Sequence, residues 1–162
     1  AFNECGAFMI DVMFDTNIFN RILDGLLAVE EFRGKVRCFV TSVQRDELMR
    51  TPDIDRRNNL GNYFRKVDAT QVPTESAVFG RSRFGACKFG KEDGLYSELR
   101  RALDSLSPRD SNVADALIGE TSVILGHTLI TEDRLLLSVI ENNGGSVMTL
   151  QRFREDILES RG

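Results

Sequence analysis

Short apolar runs alternate with stretches of helical periodicity along most of this chain, and that alternation limits the fold more than any other feature. Phe8-Met9-Ile10 and Val12-Met13-Phe14 form the first run. Ile18, Phe19, Ile22, Leu23, Leu26 and Leu27 then recur on one face of a helix. "KVRCFV" (Lys35 to Val40) reads as a second strand, and Thr41 with Gln44 makes a capping-box start for a helix through Leu48. Pro52 stops that helix, and Asp53 to Lys66 reads as a charged one. "TQV" before Pro73 is a short third strand. Helices are predicted around Leu95 to Leu106 and Val113 to Leu125, the latter ending at Gly126. "HTLIT" (His127 to Thr131) is a strand, Arg134 to Asn142 a helix, "SVMTL" (Ser146 to Leu150) a strand, and Gln151 to Leu158 a last helix. Repeated βα units of this kind predict an α/β fold with a mainly parallel sheet covered on both faces.

At 162 residues the whole chain, 1–162, is expected to form one domain with a real core. Residues 1–8 are set apart as an extension ahead of the first strand, Met9 being a plausible start. No apolar run approaches the roughly 20 residues that span a bilayer, and no basic segment leads into an apolar one, so no membrane association is expected. Cys5, Cys38 and Cys87 are odd in number and in no metal or redox spacing, which points to the reducing cytoplasm. A net charge of −4 argues mildly against nucleic-acid binding, unless the acids are gathered into a metal site.

The acids are placed as such a site requires. In open parallel sheets, sites form at the carboxyl ends of the strands. Asp15 ends the first strand, and Asp133 follows "HTLIT" by two residues. Glu47 lies on the helix after the second strand, and Asp115 near the start of the helix that leads into "HTLIT", at the rim of its apolar arc. Four carboxylates on one rim repel each other unless a cation joins them. Mg²⁺ or Mn²⁺ suits oxygen ligands and keeps several waters. Such a site can activate water and stabilise charge on a phosphodiester.

These residues carry a family resemblance. Asp15-Thr16-Asn17 after a strand resembles the first motif of PIN domains, and "QRDELMR" with Glu47 before Leu48 resembles the second. "DALIGET" (Asp115 to Thr121) followed by "GHTLITED" resembles the third and fourth. The resemblance covers nearly the whole chain in the family's order. It implies a three-layer α/β/α fold with a central five-stranded sheet and divalent-metal endoribonuclease activity. The acids Asp15, Glu47, Asp115 and Asp133 would carry the metal and the catalysis, with Thr16, Asn17 and Thr131 supporting them. At this size the chain resembles the VapC-like toxins of bacterial toxin–antitoxin pairs. That likeness implies an RNA substrate, a cognate antitoxin with a basic side chain that enters the site, and a homodimer.

Gly119-Glu120 departs from the family's preference for two small residues, leaving Glu120 as a surface charge or a further carboxylate near the rim. Asp15 alone would also serve as a helix N-cap, and Asp110 reads as a cap more than as a ligand. Asp46 and Glu47 point about 100° apart on a helix, so one of them faces the site; Glu47 is chosen because Leu48 follows it. His127, the only histidine, reads as structural, which leaves the chemistry to a metal. In "FGRSRFGACKFGK" (Phe79 to Lys91), Phe-Gly recurs three times among basic residues. Arg81, Arg83 and Lys88 are candidate RNA contacts, and packing of the phenylalanines on the sheet is the alternative. A phosphatase of the haloacid-dehalogenase type needs a second acid two residues after the first, where Asn17 stands. A non-catalytic PIN-like module that binds RNA or protein is the remaining alternative.

Overall fold

Pairing of the central strands shows how the predicted βα units assemble. A computed structural model describes residues 9–78 and 94–160. It opens with strand β1 (Ile10–Phe14), helices α1 (Thr16–Leu23) and α2 (Val29–Phe32), β2 (Val36–Val40), α3 (Ser42–Leu48), α4 (Ile54–Val67) and β3 (Thr70–Gln71). Then come α5 (Leu95–Leu106), α6 (Asn112–Leu125), β4 (Thr128–Ile130), α7 (Arg134–Asn142), β5 (Val147–Met148) and α8 (Leu150–Phe153), which runs into a π-helical turn over Arg154–Glu159. The five strands form one sheet in the order β3-β2-β1-β4-β5. Every pairing is parallel, with Val12 opposite Cys38 on one side and opposite Thr128 on the other.

Alternation along β1 divides the core into two layers. Val12 and Phe14 face a cluster with Phe19, Phe32, Leu60 and Phe153, whereas Met13 faces Leu99, Leu103, Leu117 and Leu136. Phe14 anchors the first layer, with edge-on contacts to Phe19, Phe32 and Phe153 at centroid distances of 6.2, 5.2 and 5.9 Å. The result is a three-layer α/β/α architecture with a wholly parallel five-stranded sheet.

The local signals act where the sequence puts them. Thr41 and Gln44 form the expected capping box, and the Gln44 amide also donates to the Phe14 carbonyl at 3.1 Å, tying α3 to the end of β1. Gly126 ends α6 with a left-handed backbone, φ 69°. Gly119 has a packing reason: a Cβ there would lie 2.6 Å from Ile140 Cδ1, so its absence lets α6 close onto α7. Glu120 corrects both sequence expectations. It is neither a surface charge nor a rim carboxylate but a buried group, accepting from the Ser76 hydroxyl at 2.9 Å and the Tyr96 amide at 3.3 Å. Burial, the largest influence, pushes its carboxyl above the usual range. Burial likewise pushes the Cys38 thiol up to about 12, so this cysteine is unreactive. Among the described residues no helix is long and apolar enough to cross a membrane.

Candidate active site

The strand order reverses direction at β1: the chain moves outward to β2 and β3, then returns to add β4 and β5 on the other side. Such a switch point leaves a crevice at the carboxyl ends of the two central strands. Asp15 sits at the end of β1, its amide donating to the Ile130 carbonyl of β4 at 3.0 Å. Thr131 and Asp133 lie just beyond β4. The other two acids arrive from helices, Glu47 from α3 and Asp115 from the first turn of α6.

Asp15 is built into the crevice. It is 3% exposed, its Oδ1 accepts from the Thr16 amide at 2.7 Å, and its Oδ2 accepts from the Thr131 hydroxyl at 2.6 Å and the Asn17 amide at 2.8 Å. Asn17 is fixed in turn, its carbonyl oxygen accepting from the Glu132 backbone at 3.2 Å. The Thr16 hydroxyl donates to Glu47 Oε2. Thr16, Asn17 and Thr131 therefore orient two of the four carboxylates. Asp15 is at the same time the N-cap of α1, and Asp133 the N-cap of α7, accepting from the Leu135 and Leu136 amides at 2.8 and 3.1 Å. Capping and site placement are one arrangement, not alternatives.

The four acids are close enough for their charges to act on one another. Burial is the main cause that raises Asp15 to about 6; the Thr131 hydroxyl and Thr16 amide pull it down, and the Glu47 and Asp133 charges push it up. Asp115 is raised to about 8, first by burial and then by the charges of Asp15, Glu47 and Asp133. Asp133 goes the other way. Its burial is outweighed by the Leu136 amide, the Arg109 guanidinium and the Leu135 amide, which hold it below the usual carboxylate range. The Glu47 charge acts on both Asp15 and Asp115.

Arg109 is the site residue that the sequence reading missed. Its Nη2 lies 3.0 Å from Asp133 Oδ2 and 3.9 Å from Asp115 Oδ2. The only sequence signal is a cation in the turn before α6, six residues ahead of Asp115. Asp110 beside it is exposed and does not cap α6, whose cap position, Ser111, makes no side-chain cap bond. His127 stands at the other end of β4, stacked on Phe39 with ring centroids 4.1 Å apart. Arg81, Arg83 and Lys88 lie outside the described residues.

Among the described residues, no three acidic, histidine or cysteine side chains are gathered closely enough to hold a metal ion as they stand. Asp133 is turned to Arg109 and to the start of α7, and Asp15 to Thr131 and Asn17. The donor chemistry nevertheless fits a hard divalent cation. All four donors are carboxylates, and two of them are pushed toward protonation by burial and mutual repulsion that a cation would relieve.

No protein-family model matches the sequence, and no curated protein matches it. Solved structures do match. A domain of a functionally unknown protein from Methanocaldococcus jannaschii shares 16% identity and a TM-score of 0.50, over 86% of this chain and 89% of that one. The structure of VapBC2 from Rickettsia felis bound to a promoter DNA fragment gives 15% identity and a TM-score of 0.49, over 85% of this chain and 97% of that one. FitAcB from Neisseria gonorrhoeae gives 14% and 0.42, over 85% and 96%. At such identities the likeness concerns the fold. This chain has a three-layer α/β/α fold around a parallel five-stranded sheet, with Asp15, Glu47, Asp115 and Asp133 drawn from four elements to the carboxyl edge of that sheet.

Proposed function

We propose that this chain is a divalent-metal-dependent endoribonuclease that hydrolyses RNA phosphodiester bonds. One observation carries the reading: Asp15, Glu47, Asp115 and Asp133 come from four different elements to the carboxyl end of the sheet, where the Thr16 hydroxyl beside Asp15 donates to Glu47 and Arg109 lies between Asp133 and Asp115. Crowding of that kind destabilises a fold unless a cation or a reaction makes use of it. Asp15, Glu47, Asp115 and Asp133 would hold Mg²⁺ or Mn²⁺. When bound, such an ion supplies Lewis-acid stabilisation of a phosphodiester and activation of water at neutral pH.

This chain's own residues do the positioning. Thr131 and Asn17 fix the Asp15 carboxylate, and the Thr16 hydroxyl fixes Glu47, so the two acids keep their orientation when the substrate's charge arrives. Asp115, exposed by less than a tenth, faces the crevice from the first turn of α6. Arg81, Arg83 and Lys88 are proposed to neutralise RNA phosphates. The biological role implied by the motifs is the toxin of a toxin–antitoxin pair, acting in the cytoplasm as a homodimer and held inactive by a cognate antitoxin.

The test is cleavage of a single-stranded RNA with Mg²⁺ or Mn²⁺, comparing wild type with Asp115→Asn. Metal-dependent cleavage by wild type and its loss in the folded variant support the reading; equal cleavage by both overturns it. A second reading is a PIN-like module that binds RNA or protein without cutting. It draws on the capping work of Asp15 and Asp133 and on Arg109 as the ion-pair partner of Asp133. RNA binding by wild type with no cleavage in any divalent ion would favour it.

A further inference from the structure

Arg109 is not a loose surface cation. Its Nε donates to Asn112 Oδ1 at 3.3 Å, and Asn112 is fully buried, its own amide donating to Asp104 Oδ1 at 2.8 Å and the Ser107 carbonyl at 2.9 Å. The guanidinium is thus aimed at the crevice from a fixed seat at the start of α6. Its far end reaches two of the four acids, Asp133 and, more distantly, Asp115. The side chain is 38% exposed, so the guanidinium can turn out to water at little cost to its own hydration.

We propose that Arg109 is the chain's own counter-cation for the acidic cluster, occupying the Asp115–Asp133 side until a divalent ion displaces it. The inference rests on the metal-nuclease reading above. Without metal, the guanidinium offsets part of the repulsion among the acids and holds Asp133 away from a common centre, which is where the described side chains stand. A dication entering the cluster repels the guanidinium and claims both of its carboxylate partners, so loading exchanges one cation for another. The apparent affinity for metal is lower than four free carboxylates would give. A basic group of the same chemistry arriving from outside would meet a position that Arg109 already fills.

The experiment is calorimetric titration of the whole chain with Mn²⁺, for wild type, Arg109→Ala, Arg109→Lys and Asp115→Asn, with melting temperatures in chelator and in Mn²⁺. Arg109→Ala is expected to bind Mn²⁺ about fivefold more tightly, the upper range for a half-exposed ion pair. It should also melt lower in chelator and gain more on adding Mn²⁺. Arg109→Lys keeps a charge without the forked geometry and should fall between the two; it also decides the matter if the Ala variant does not fold. Equal or weaker binding by both Arg109 variants overturns the inference and leaves Arg109 a brace, while the metal reading stands. Binding unchanged in Asp115→Asn, or absent from wild type and every variant, removes the metal reading and the inference with it.

Discussion

Strand β1 carries an aspartate at each end of its useful length, and the two are treated in opposite ways. Asp11 meets Arg37, its register partner on β2, in a forked pair with N···O distances of 2.5 and 2.6 Å. One acid faces one guanidinium. Four residues on, about 13 Å along an extended strand, Asp15 shares its surroundings with Glu47, Asp115 and Asp133, and among the described residues Arg109 reaches two of the four. The balanced pair is explained by structure alone. The cluster gathers four acids within reach of one another's charge, and grouping of that kind is not explained by a single ion pair.

The sharpest way to break this contrast is to neutralise each end separately. Asp115→Asn should lower metal-dependent RNA cleavage by at least about 100-fold, the scale seen when a group stabilising a developing charge is removed. Asp11→Asn should leave cleavage within about twofold, since no interaction links it to the cluster. Comparable losses at both ends would abolish the distinction. Asp115 is the cleaner choice over Asp15, because Asp15 accepts three hydrogen bonds that an amide only partly replaces.

Stability against pH separates the ends next. Asp15 and Asp115 are raised to about 6 and about 8, against about 3.9 for an aspartate in an unfolded chain. Above pH 4 the folded state then holds protons that the unfolded state has released, so stability falls as pH rises. In chelator the melting temperature should decline between about pH 4 and pH 8. Asp115→Asn should flatten the upper part of that decline and raise the value at pH 7.5 by about 3–6 °C, the response of a chain this size to ~1.5 kcal/mol. A melting temperature that climbs across the same interval would show that the cluster is not repulsive.

Smaller effects refine the picture. Thr131→Val removes the donor to Asp15 Oδ2 and should cost about 1–2 kcal/mol, read as a shift in denaturant midpoint. A double-mutant cycle on Asp11 and Arg37 should give a coupling of about 0.5–1 kcal/mol, the half-exposed value. Smallest of all, Glu120→Gln should change cleavage by less than about twofold, because this buried acid answers to Ser76 and Tyr96 and not to the rim.

The order of elements was legible because hydrophobic periodicity and capping residues are local signals. Thr41 with Gln44 starts α3, Asp53 caps α4, and Gly126 ends α6, all as the residues suggest. Asp15 was conspicuous for a related reason, a carboxylate closing an apolar strand, whereas Glu47 was picked out by its motif and Asp115 by its place at the rim of a helix's apolar arc. What escaped depends on distance in space. Nothing near Arg109 in sequence says that its guanidinium crosses to Asp133, and nothing in "LIGET" says that Glu120 turns inward to Ser76. The four-residue α2 escaped because so few residues carry no readable period, whereas the last helix is present over the residues read for it and turns π-helical from Arg154.

Asp15 is held by Thr131, 116 positions later in the chain. The parallel pairing of β1 with β4 is what brings them together, and it forms only when the intervening elements have been made and folded back. A ribosome that has delivered β1, α3 and α6 has supplied three of the four acids but not the strand that lodges the first of them. Any product truncated before Thr131 is therefore without the cluster, however much of the sheet it has begun. For a chain of this design the timing is set by topology: the four acids share one edge only once nearly all of the described fold is in place.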